Sequence, residues 1–397
     1  MSRITETRRP ILAAILLALL MAGFIAYGSL YPFRFHPLPE RMPLAEAVAQ
    51  AWALRSTSRG DLAANLLLYA PLGLVLALAF ARLRPLPATV LAVLLCALLS
   101  AGLEFAQIFA MHRVASGGDL VLNIVGAGLG AATGTVLAPR RGAEALAWRP
   151  RVADAFPAAL LACWVGYRLY PYVPALDLGE WRASLKPLLP PFDPDPLRIL
   201  RLAILWLVAA RMLDAARPRG EAGLLLAVLM LGSLVAAVPL VGRRLTVEEI
   251  AAVGLALPAW LVLRRLSWRD RLLFAALLFV VLLEGLAPYT FLAEPRPFGW
   301  IPLRSLMSGH WGNGLQAVLY KSFLYGGLVW LGLRAGLRPL LAGGFAVAVA
   351  LAVSAAQAWL PGRSAEITDA VIAAGTILLL QLLRGGRWPG EPRVAGR

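Results

Sequence analysis

Apolar residues run along this chain in long blocks, broken by short turns rich in arginine, proline and glycine. A helix needs about 20 apolar residues to cross a bilayer. On that criterion the blocks predict about twelve helices. They fall at 11–30, 62–81, 87–110, 120–138, 155–172, 197–215, 222–241, 247–264, 271–288, 315–333, 339–359 and 367–384. The turns alternate in character. One set carries Arg82 and Arg84, then Arg140 and Arg141, Arg217 and Arg219, Arg264 and Arg265, and Arg334 and Arg338. Basic residues at the ends of short loops mark the cytoplasmic side. With Arg3, Arg8 and Arg9 ahead of the first block and Arg384 and Arg387 after the last, both termini are expected in the cytoplasm. No A-x-A pattern follows the first block, so it is expected to be an uncleaved helix rather than a signal peptide.

Composition agrees with the pattern. The 397 residues are 60% hydrophobic and 15% charged, with a mean hydropathy of +0.72. That excludes an ordinary soluble domain and implies a polytopic, all-α membrane protein. A net charge of +16 would suggest nucleic acid in a soluble protein. Here the arginines lie in turns, where they set topology, so no nucleic-acid partner is expected. Cys96 and Cys163 sit inside apolar blocks, and His36, His112 and His310 are scattered. Neither a disulfide framework nor a metal site is expected. No phosphate or dinucleotide loop occurs, so no cofactor is expected.

Three polar signatures recur in one order. Leu30–Phe35 (LYPFRF), Leu169–Pro174 (LYPYVP) and Leu286–Phe291 (LAPYTF) each end a block with proline and aromatics. Trp52 with Arg55, Trp181 with Lys186, and Trp300 with Arg304 follow. Then comes an arginine six residues before an acid, as Arg113 and Asp119, Arg243 and Glu249, and Arg363 and Asp369. Gln107 and Gln357 precede their arginines by the same interval. The order predicts three tandem repeats of four helices, at 1–140, 141–270 and 271–397. An even number of helices per repeat makes them parallel, about an axis along the membrane normal.

The stretch from Leu103 to Gly134 carries the densest chemistry. Glu104 and Gln107 lie one helical turn apart, Arg113 sits in the following turn, and Asp119 and Asn123 share a face of the next helix. Gly126, Gly130 and Gly134 follow as a small-residue ladder that admits a second helix closely. Asp61, Asn65 and Tyr69 line one face of an earlier helix. A carboxylate at a helix centre in lipid costs roughly 2.5–3.5 kcal/mol, so these groups are expected to pair. Two readings stand: a polar clamp between helices, or a ligand site. In the second repeat Leu234 and Val253 replace Glu104 and Asn123; in the third, Ser354 and Ala373 do. The first repeat is therefore the expected home of a site, with the others mainly scaffold.

The pattern Asp61-x3-Asn65-Leu-Leu-Leu-Tyr-Ala-Pro-Leu-Gly, then Glu104-x2-Gln107, Arg113 and Asp119-x3-Asn123-x2-Gly126, resembles the VanZ-like family. Repeat three resembles it in part, through Tyr325, Gly326, Gln357, Pro361–Arg363 and Asp369. The resemblance implies a small polytopic bacterial membrane protein of the cell envelope and inner membrane. It also implies a link to glycopeptide antibiotic resistance, and no settled catalytic activity.

On the expected topology the turns bearing Arg113, Arg243 and Arg363 face outward. Arginine donates paired hydrogen bonds to phosphate, which suits an anionic lipid headgroup. The expected ligand contacts are Asp61, Asn65, Glu104, Gln107, Arg113, Asp119, Asn123, Gln357, Arg363 and Asp369. The expected partners are the bilayer and an anionic envelope lipid or glycopeptide. Against this, Asp119, Glu249 and Asp369 could simply cap their helices and pair with their own arginines. Three functions remain: non-enzymatic binding, transport or flipping of an envelope lipid, and an enzyme on a lipid phosphate with Glu104 as base.

Overall fold

The computed structural model describes residues 2–31, 33–37, 43–51, 59–80, 83–111, 115–137, 154–175, 177–217, 222–305 and 311–383. Among them the regular structure is helical, with isolated bridges in place of strands. A helix occupies each of the predicted apolar stretches, and two short helices are added in turns. Two compact units result, Met1–Arg149 and Pro150–Arg397.

The first unit contains α1 (Ser2–Leu30), the short α2 (Leu44–Ala51), α3 (Arg59–Ala79), α4 (Pro85–Gln107) and α5 (Gly117–Leu137). Its tightest pair is α3 and α5. A Cβ added to Gly130 would lie 1.8 Å from the Ala70 carbonyl oxygen, and one on Gly126 would lie 2.4 Å from that of Leu66. Gly134 meets Leu74 in the same way at 2.6 Å, and on the other side Gly73 meets Ala127 at 2.2 Å. The glycine ladder is thus a backbone-to-backbone contact. Pro71 lies inside α3 at this crossing.

The second unit contains α6 (Ala155–Leu169), the short α7 (Leu178–Leu185), α8 (Pro196–Ala216), α9 (Ala222–Ala237) and α10 (Val247–Leu263). It continues with α11 (Arg269–Gly285), α12 (Trp311–Arg334), α13 (Pro339–Ala356) and α14 (Thr368–Leu383). Two helices are central. On α8, Leu202–Leu213 is buried except at Leu207, and on α12 Phe323–Leu333 is buried throughout. Helices buried on every side belong to an interior. Trp164 of α6 joins them, stacked on Phe323 at 4.8 Å and edge-on to Trp206 at 5.4 Å. At one end of this core Arg211, 2% exposed, bonds Asp270 at 2.6 Å and lies over Trp330. Arg334 reaches the same carboxylate at 3.3 Å.

Among the described residues, three helical stretches are long and apolar enough to cross a membrane: Pro85–Gln107, Gly117–Val136 and Pro339–Trp359. Their outer faces are apolar, as Leu86, Val90, Leu94 and Leu98 illustrate on α4. The shorter α9 has such a face too, in Leu224, Val228, Leu231 and Val235.

One local structure occurs three times. After α1, α6 and α11 the chain turns through a non-glycine residue with positive φ: Phe33 at 61°, Tyr172 at 62° and Tyr289 at 64°. Bulky residues rarely take this conformation. Three residues after each, a backbone N–H donates to a later turn: His36 to Phe109 O at 2.8 Å, Ala175 to Pro239 O at 2.7 Å, and Leu292 to Trp359 O at 2.6 Å.

Candidate functional site

In the first unit the polar side chains gather where α4 meets α5. Glu104, 5% exposed, accepts a hydrogen bond from the Ser116 N–H at 2.8 Å, which fastens the turn onto the end of α4. One turn further, the Gln107 Nε2 donates to the Ser29 carbonyl at 3.0 Å. That carbonyl is in the last turn of α1, where helix acceptors lack intrahelical partners. Buried Asn123 donates to the Ser100 hydroxyl at 2.9 Å, and the Tyr69 hydroxyl hydrogen-bonds Ser100 as well. The other amide atom, Asn123 Oδ1, is buried without a partner. Asp119 is half-buried, close enough for its charge to act on Glu104. Asn65 is half-buried on α3. Arg113 and the Asp61 side chain lie outside the described residues.

In the second unit the three expected residues fasten helices. Gln357 donates to the Gly285 carbonyl at 3.0 Å, as Gln107 does to Ser29. Arg363 donates to the carbonyls of Glu284 and Ala287, both at 2.8 Å, and so closes the end of α11. Asp369 accepts from the Tyr325 hydroxyl at 2.8 Å and pairs with Lys321. The expected pairing of Asp369 with its own Arg363 is therefore replaced: α12 supplies the cation, and α11 takes the arginine. Glu249 does reach its own Arg243, at 3.5 Å, but its closer partner is Arg168 at 2.7 Å.

That contact belongs to a charged cluster in a part of the chain expected to be mainly scaffold. Arg168, 4% exposed, packs beside both Trp164 and Trp206, with its guanidinium carbon 5.9 and 5.7 Å from their ring centres. Arg201 of α8 pairs with Glu284 of α11 at 3.0 Å, and the Tyr320 hydroxyl donates to the same carboxylate at 2.7 Å. Tyr320 stacks on Tyr167 at 4.4 Å. Tyr167 lies within the electrostatic reach of Arg168, Arg201, Arg243 and Glu284 at once. Burial, then the neighbouring Arg168 charge, pull Arg243 below its ordinary value despite Glu249. The Nε atoms of Arg168, Arg201 and Arg243, and Nη2 of Arg168, are buried with no protein partner. A guanidinium has five N–H donors, and a buried unmet donor costs about 1–3 kcal/mol, more when charged. The signal in the sequence was ionisable residues inside apolar blocks, Arg168, Arg201 and Glu284, each a functional candidate by that placement alone. Among the described residues no group of histidine, cysteine and carboxylate side chains is arranged to hold a metal ion.

Residues 11–138 match the family described as VanZ/LLP1, so this part of the chain is VanZ-like. No curated protein and no solved structure matches the chain. The matched region includes Glu104, Gln107, Arg113, Asp119 and Asn123 and ends before the charged cluster of the second unit.

Proposed function

We propose that the chain is a multi-pass protein of a bacterial inner membrane that binds, without catalysis, an anionic lipid-linked or glycopeptide-type ligand at its outer end. One observation carries this reading. In each unit a cluster of buried charged and amide groups lies at the end of the helices away from the arginine-rich turns, and in the second unit one further buried arginine, Arg211, pairs with Asp270 at the arginine-rich end. Along α4, Arg84 stands at one end and Glu104 at the other. Along α11, Arg269 opens the helix and Glu284 closes it. The arginine-rich ends suit the cytoplasm, which puts the clustered ends outside and both termini inside. Exposed Trp181, Trp300 and Trp359 lie in or next to the turns of that outer end, as side chains at a membrane interface do. The recurrent turn at Phe33, Tyr172 and Tyr289 supports three tandem repeats of four membrane helices, 1–140, 141–270 and 271–397.

Gln107, Gln357 and Arg363 then serve mainly to fasten helix ends. Asn65, Glu104, Asp119 and Asn123, with Asp61 and Arg113 beside them in sequence, are the proposed ligand contacts of the first unit. A role in glycopeptide resistance is the biological context the VanZ-like region suggests. Native mass spectrometry of the full chain in mild detergent tests the reading. An anionic envelope lipid should survive on the protein, and its loss in Arg113→Ala would assign it to the first turn. A protein that retains no anionic lipid would overturn the reading.

A further inference from the structure

We propose that Arg168, Arg201 and Arg243 form a buried oxyanion site in the second unit, which takes the phosphate of a lipid headgroup or free phosphate. This extends the reading above, since it rests on an anionic ligand at the outer end but names a different unit and a defined set of donors.

Three arginines meet two carboxylates here, and all three act on the same side chain, Tyr167. Arg168 and Arg243 share a single oxygen, Glu249 Oε1, at 2.7 and 3.5 Å. Arg201 is held from the other side by Glu284. Each guanidinium keeps its Nε unpartnered, and Arg168 keeps Nη2 as well. Arg168 is more than nine-tenths buried and packs against two indole rings that touch each other edge-on. One buried acceptor, Glu249 Oε2, is also unpartnered, and the orphan donors of the three arginines outnumber it, which points to a further acceptor. A phosphate offers several acceptor oxygens to planar guanidinium forks, and its charge would offset the like-charge contact of Arg168 with Arg243. The Arg201 side chain is 32% exposed and gives a route in. The stacked Tyr167 and Tyr320 wall the cluster with flat, apolar faces.

Equilibrium binding of radiolabelled inorganic phosphate to the full chain in neutral detergent, with phosphatidic acid and phosphatidylcholine as competitors, tests the site. Saturable phosphate binding is expected. Arg201→Gln and Arg243→Gln should weaken it at least tenfold, and Arg265→Gln, in an exposed turn at the opposite end, should leave it unchanged. Should the glutamine variants fail to fold, Arg201→Lys and Arg243→Lys keep the charge but lose the fork, and should weaken binding at least threefold. Displacement by phosphatidic acid identifies a lipid headgroup, and phosphate binding that it cannot displace identifies a soluble anion; either supports the site. Absence of saturable phosphate binding, binding untouched by these substitutions, or equal loss in Arg265→Gln overturns it. An anionic lipid retained in native mass spectra but indifferent to Arg201→Gln and Arg243→Gln would sink this site and spare the broader reading. Phosphate binding lost in these variants, with no lipid retained by the wild type, would do the reverse.

Discussion

At the scale of single residues, the candidate groups divide by what their hydrogen bonds do. Glu104 is an acceptor for one backbone N–H in the α4–α5 turn. A glutamine at that position keeps an amide oxygen in the same place, whereas a leucine leaves the Ser116 N–H buried and unmet. Glu104→Gln should therefore unfold in detergent close to the wild-type temperature, and Glu104→Leu should lose about 1–3 kcal/mol. Equal destabilisation of both would mean that the charge of Glu104, rather than its acceptor oxygen, holds the turn. Gln107 and Gln357 were recognisable as a matched pair because each precedes an arginine by the same interval. Their job was not recognisable: they reach the carbonyls of Ser29 and Gly285, more than 70 residues earlier in the chain. A spacing pattern reports which residues share a helix face, but not which distant helix end stands opposite. The same holds for Asp369, whose cation comes from α12 rather than from the adjacent turn.

At the scale of helices, apolar block length located the elements well, because a block of that length has few alternatives to a helix. The glycine ladder of α5 was equally legible, since only small residues permit backbone contact. The structure separates the glycines of that helix sharply. Gly130 faces the Ala70 carbonyl, while a Cβ on Gly128 meets nothing within 4 Å. Gly128→Ala should be neutral or stabilising by up to about 1 kcal/mol, the ordinary helix preference for alanine over glycine. Gly130→Ala should force α3 and α5 apart and lower the yield of folded protein, and Gly130→Leu should do so more severely. Thermal unfolding of the two alanine variants side by side checks this, and a tolerated Gly130→Ala would mean that α3 and α5 do not touch there. The central helices α8 and α12 were less legible. Their charges at Arg201, Arg211 and Lys321 interrupt the apolar pattern, and each is met by an acid on another helix. Pairing of that kind is decided by packing, so a scan along the chain undervalues the region that holds the most buried charge.

At the scale of the whole molecule, the distribution of charge makes a statement about sidedness. Arg243 and Arg244 lie in the turn before α10, and Arg264 and Arg265 in the turn after it. Helix α10 is 17 residues long, or about 25 Å at 1.5 Å per residue, a little short of the roughly 30 Å hydrocarbon core. Its two ends can still stand on opposite sides, because a span this short draws the bilayer thin or lets its flanking arginines reach out to the interface. Arg244 and Arg265 are both exposed, so each can report its side without disturbing the interior. With Cys96 and Cys163 replaced by alanine, a cysteine at position 244 should react with a membrane-impermeant maleimide on intact cells. A cysteine at 265 should react only after permeabilisation. The reverse labelling would turn the protein over and bring the arginine cluster to the cytoplasmic face, where an outer-leaflet headgroup could not reach it. Labelling of both positions from outside would mean that α10 does not cross. The charged cluster would then be an interior ionic core rather than the wall of a membrane-embedded site, so this one pair of cysteines bears on fold and function together.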